Sequence, residues 1–122
     1  MTRSFLTRLS LVLALSLFGS VASAQTTTDW LTSQDYQAYF DSVVPAGYMP
    51  VSVEAGLVYG HVRYQATFAP TPAGISWVAR HGQSDSSFAE TNAGLTAQGY
   101  RLSFHHRFNT EGMVRNQAIW VR

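Results

Sequence analysis

The side chains with the clearest capacity for chemistry are two matched pairs of long planar donors. Arg63 and Gln65 stand two residues apart, and Arg115 and Gln117 repeat that spacing 52 residues further on. In a strand, residues i and i+2 share a face. Each pair therefore forms a short ladder suited to reading a carboxylate or a polar polymer. The same two pairs can also serve as struts that a repeated structure repeats for its own sake. Arg80-His81-Gly82 is a third candidate, whose Arg and His can bond a ligand or backbone carbonyls. The ligand-binding set read from the sequence is thus Arg63, Gln65, Arg80, His81, Arg115 and Gln117. Catalysis finds less support. Ser, His and Asp are all present, but no Gly-x-Ser-x-Gly elbow frames a nucleophile. Metal chemistry finds less again. His105 and His106 are adjacent, so in a strand they point to opposite faces, and His61 and His81 stand apart in sequence. No Cys and no His-Glu-x-x-His is present, and no metal site or cofactor is expected.

These residues lie within a stretch that the chain states twice. Gly47-Tyr48 followed by Val62-Arg63-Tyr64-Gln65-Ala66-Thr67-Phe68 recurs as Gly99-Tyr100 followed by Val114-Arg115-Asn116-Gln117-Ala118-Ile119-Trp120, in one gapless register. The register also pairs Tyr36 with Phe88 and Val43 with Leu95. A fold-scale repeat sets the architecture before any local detail. In the first copy, Thr32-Ser33 supply an N-cap, and Tyr36, Phe40, Val43 and Val44 form the apolar face of a helix closed by Gly47. Tyr48 to Phe68 reads as a hairpin turning at Gly60-His61. Ile75 to Arg80 is a short strand joining the copies. Ser84 or Asp85 starts the second helix, which carries Gly94 inside it and ends at Gly99. A second hairpin follows across 109–112.

One conflict stands out. Val51 and Val53 have Ser103 and His105 as repeat partners, whereas the second hairpin's apolar set, Leu102, Phe104 and Phe108, is one residue out of phase. Either one copy carries a bulge near Pro50, or the two copies bury different faces. The expected fold is α+β: two helix–hairpin repeats, about 29–70 and 77–122, forming one antiparallel sheet of about five strands with two helices packed on it. Gln25 to Thr28 reads as a polar lead outside the fold.

The first 24 residues read as a signal peptide. Arg3 and Arg8 precede an apolar run from Leu9 to Val21, and Ala22-Ser23-Ala24 is a small-residue cleavage site. The remaining 25–122 is one domain, expected to be secreted or periplasmic. Without cysteine it has no disulfides to rely on. All eight basic residues are Arg, and seven acids oppose them. Cleavage removes Arg3 and Arg8 and leaves the domain near neutral. That balance argues against nucleic acid and against a membrane surface.

The Gly-Tyr steps, the Val-Arg-x-Gln-Ala-x-Trp strand and Trp77-Val78-Ala79-Arg80-His81-Gly82 resemble the bacterial tandem repeat domain family. Similar units form the N-terminal region of fungal polyglycine hydrolases. The resemblance covers about residues 29 to 122 and implies a string of helix-plus-hairpin units. It does not carry hydrolase chemistry, which in those enzymes resembles that of serine β-lactamases and sits in a separate domain. A Ser-x-x-Lys site needs a Lys, and this chain has none. The expected function is an exported, non-catalytic binding or interaction module for an extracellular or cell-envelope partner such as a peptide or glycan. The alternatives are a small secreted hydrolase with a Ser/His site and a repeat protein that self-associates through open sheet edges.

Overall fold

The computed structural model describes residues 24–122. The signal-peptide segment lies outside the described residues but for Ala24. The elements are β1 (Thr26–Thr27), α1 (Ser33–Val43), β2 (Tyr48–Val58), β3 (His61–Pro70), β4 (Trp77–Gln83), α2 (Asp85–Ala97), β5 (Arg101–Thr110) and β6 (Met113–Val121). Both helices begin as their polar residues dictate. Thr32 Oγ1 accepts the Asp35 N–H at 3.0 Å, and Ser84 Oγ accepts the Ser87 N–H at 3.1 Å.

The strands form two three-stranded antiparallel sheets, ordered β1-β3-β2 and β4-β6-β5. This corrects the expectation of a single sheet of about five strands. The polar lead also proves structured: Thr26 and Thr27 pair with Phe68 and Thr67, and Thr28 is buried. These two residues carry no strand pattern of their own. They become a strand because β3 presents an edge that needs a partner. Their repeat equivalents, Val78 and Ala79, sit opposite Trp120 and Ile119 in the second sheet. β4 also runs beyond the Arg80 end expected for it, across a register shift between Arg80 and Gln83. The hairpins turn at Tyr59-Gly60 and Glu111-Gly112, one residue earlier than Gly60-His61. In both, two successive positive φ values (50° and 78°, 48° and 78°) give the type I′ shape that matches strand twist.

The phase conflict has a structural answer. Both first hairpin strands carry a register shift at equivalent points, Pro50/Ser52 and Leu102/Phe104. A bulge in one copy alone is therefore excluded. Val51, at that shift, is exposed instead of inward. The copies bury opposite faces. β2 buries Met49, Val53 and Ala55, on the side that carries α1. β5 turns Phe104 and Phe108 inward, on the side away from α2, and these join Ile119 and Val121 in one apolar cluster with Tyr36, Val53, Tyr64 and Phe68. The second sheet thus lays its helix-free face on the helix-bearing side of the first. What would be the next contact surface on each outer side is polar: Arg101, His105 and Arg107 in place of Met49, Val53 and Ala55, and Ser52 and Glu54 in place of Phe104 and His106. End units of a stack need such outer faces.

Candidate functional site

The seam between the repeats brings together residues from non-equivalent positions. β4 bulges at His81-Gly82, where Gly82 has a φ of 69°. The bulge is pinned from behind: the Gly82 N–H donates to Gln117 Oε1 at 2.9 Å. Gln117 is fully buried, and its Nε2 donates to the Arg115 carbonyl at 3.2 Å. So held, His81 points toward α1. Its Nε2 lies 2.8 Å from Ser33 Oγ, and its ring stands edge-on to Tyr36 and Tyr64 at 4.7 and 4.9 Å.

On one side of this contact a pocket of about 540 Å³ is lined by Ser33, Tyr64, His81, Gly82, Ser84 and Arg115. On the other a groove of about 610 Å³ runs between α1 and β4, past Tyr36, Phe40, Trp77 and Arg80. No Asp or Glu lines either cavity. Among the described residues, Arg115 and Arg80 are their only formal charges. Arg115 is partly buried, and its Nη1 donates to the Val114 carbonyl at 3.0 Å. Among the described residues the one ion pair is elsewhere, Arg107 with Asp85 at 2.8 Å. There the Arg107 guanidinium and Asn116 hold the Asp85 carboxyl well below the usual range. Burial pushes the Tyr64 hydroxyl upward in pKa, against the opposing pull of Arg115.

Burial also lowers the pKa of His81 from its ordinary 6.5. The unfolded chain then binds more protons than the fold below that value, so stability rises with pH across this window. Stability at His81 is complete above pH 6.5 and falls as pH drops through 6.5 toward the lowered value. Urea titrations of the native protein and of His81→Gln check this. The slope below pH 6.5 should flatten in the variant.

Arg63 and Gln65 are not at this seam. They lie on the outer face of the first sheet, where Arg63 Nη1 donates to the Val62 carbonyl at 3.0 Å and Gln65 Nε2 to the Thr28 carbonyl at 3.0 Å. Trp30 lies beside them, its ring so close over Gly56 that a Cβ there would sit 3.1 Å away. The structure thus gathers Arg80, His81, Arg115 and Gln117 and leaves Arg63 and Gln65 apart. Gln117 reaches the pocket only through the bulge it holds. His105 and His106 separate as alternation requires: His105 stacks on Phe88 at 4.1 Å, and His106 Nδ1 receives the Ala55 N–H at 3.4 Å. Three pocket residues, Ser33, Tyr64 and Ser84, escape a reading by motif. Tyr64 has Asn116 as its repeat partner and Ser33 has Asp85, so repetition does not flag these two, and it pairs Ser84 with Thr32 only as a helix cap.

No curated protein matches the chain, and no solved structure does. The family described as polyglycine hydrolase-like, structural repeat, matches it twice, over residues 30–71 and 74–122. Each match spans one helix and its hairpin, and together they cover most of the sequence: the chain belongs to the polyglycine hydrolase-like structural repeat family.

Proposed function

We propose that the chain is an exported, non-catalytic recognition module that takes a carboxylate in the seam pocket. The observation that carries this reading is Arg115: a guanidinium partly buried between the repeats, beside a cavity with no acid in its walls. A charge kept out of bulk water without a counter-ion favours an anion that supplies one. Ser33, Ser84 and Tyr64 add hydroxyl groups around the same space. Export rests on Arg3, Arg8, the apolar run to Val21 and Ala22-Ser23-Ala24.

The test is an amide-shift titration with N-acetylalanine and with its uncharged amide. The acid should give saturable shifts centred on Ser33, His81 and Ser84, and the amide should not. Arg115→Ala should weaken the acid at least roughly tenfold, the scale of a lost hydrogen bond to a charged group. Equal shifts from both probes, or undiminished binding by the variant, would refute the carboxylate reading.

A hydrolase reading draws on the 2.8 Å contact between Ser33 Oγ and His81 Nε2, the spacing of a nucleophile and its base. Support stops there. A triad orients its histidine with an acid, whereas the His81 ring is set by Tyr36 and Tyr64. Ester turnover lost in Ser33→Ala would favour catalysis over recognition.

A further inference from the structure

The backbone of β4 carries information that its side chains do not. β4 is an edge strand of the second sheet. Ser76 and Arg122 exchange both backbone hydrogen bonds, at 3.0 and 2.9 Å. In an antiparallel ladder such pairs alternate with pairs whose N–H and C=O groups point away from the partner. Trp77 opposite Val121 and Ala79 opposite Ile119 are the alternate pairs. Their backbone donors and acceptors therefore point away from β6, off the open edge. Ala79 confirms this direction: its carbonyl receives Arg80 Nη1 at 2.8 Å, a contact made outside the ladder. The groove beside α1 touches every residue from Trp77 to His81. Successive residues point to opposite faces, so a cavity that meets five in a row runs along the strand's edge. Its other wall is α1, through Tyr36, Gln37, Phe40 and Val44. Phe40 meets the Trp77 ring at 5.7 Å at one end, and Tyr36 meets His81 at the other.

We propose that this edge binds an extended peptide carrying an acidic group, which adds to β4 as a further strand through the backbone of Trp77 and Ala79. The inference rests on the recognition reading above and names its ligand class: the carboxylate taken near Arg115 is the free C-terminus of a peptide, distinct from the acidic side chain that meets Arg80. Main-chain bonds supply affinity in strand addition, and flanking side chains supply selectivity. Here the peptide's N–H replaces Arg80 as donor to the Ala79 carbonyl, and the released guanidinium meets the acidic group. A second copy of β4 is the poorer occupant, because Trp77–Gln83 carries Arg80 and no acid to offer the Arg80 already in the groove.

The probes are a library of random heptapeptides displayed with free C-termini and the peptide most enriched from it. Enrichment of acidic, β-branched sequences is expected. N-methylation of alternate peptide nitrogens should cost the enriched peptide at least about tenfold in Kd, with the intervening positions tolerant. Arg80→Ala should cost about tenfold, as for a hydrogen bond to a charged group. The Trp77 and Ala79 amides should gain protection from exchange. An enriched peptide indifferent to N-methylation at every position, or one whose shifts map to Arg63 and Gln65, overturns the proposal. So does protection of the Ala79 amide by concentration-dependent dimerisation without peptide. Failure to enrich any peptide while N-acetylalanine still fills the Arg115 pocket overturns strand addition and leaves the carboxylate reading standing. Loss of both responses removes the two together.

Discussion

Gly82→Ala is expected to lower stability by about 2–4 kcal/mol and to displace His81 from Ser33. Two costs combine at this residue. Its φ of 69° lies in the left-handed region, which a Cβ disfavours. A Cβ there would also stand 2.9 Å from the Tyr64 hydroxyl. Tyr64 is buried and has little freedom to retreat. The backbone is equally committed, since the Gly82 N–H is bonded to fully buried Gln117. Gly112→Ala is the informative control. Gly112 has a φ of 78°, yet open space surrounds its Cβ position. It carries the conformational cost alone, about 1 kcal/mol. Urea denaturation of both variants separates the two effects. Tyr64→Phe placed in the Gly82→Ala background should recover part of the difference by removing the hydroxyl. Equal losses at Gly82 and Gly112 would show that crowding at the seam plays no part.

Trp120→Ala should be at least as damaging, about 3–5 kcal/mol, the cost of emptying a large core site. For a domain of this size each kcal/mol lost lowers Tm by roughly 4–8 °C. Trp120 is fully buried in the second sheet. Its Nε1–H donates to Asn92 Oδ1 at 2.9 Å, and its ring stacks with Phe88 at 6.0 Å. Both partners are on α2, a helix with no fully buried residue of its own. The sheet thus holds this helix through a side chain reaching outward, where α1 holds itself by inserting Tyr36. Hydrogen exchange should therefore show α2 released first in Trp120→Ala, with α1 protected until global unfolding. Uniform loss of protection across both helices would count against this division.

How much was legible beforehand follows from these particulars. The repeat register, both N-caps and the two hairpins could be read because each is set by residues close in sequence. The separation into two sheets could not. Strand order depends on which edges meet, and Thr26-Thr27 gain strand character only from β3. The clue was present in the apolar residues of β5, which fall one position out of step with those of β2. That mismatch records which face of each sheet meets the other repeat, a fact about packing that reads at first as a flaw in the pattern. The candidate site shows the same limit. Arg80, His81 and Arg115 stood out by type and spacing, whereas Ser33, Tyr64 and Ser84 matter only because stacking carries them to one place.

The unequal dressing of the two sheets bears on how such a chain could lengthen. Inward surfaces are apolar and complementary, whereas Arg101, His105 and Arg107 on one outer side and Ser52 and Glu54 on the other present groups that want water. An added unit would find matching partners on both flanks only if spliced between the existing halves. Growth in this architecture is therefore favoured from the middle, with the present halves kept as bookends.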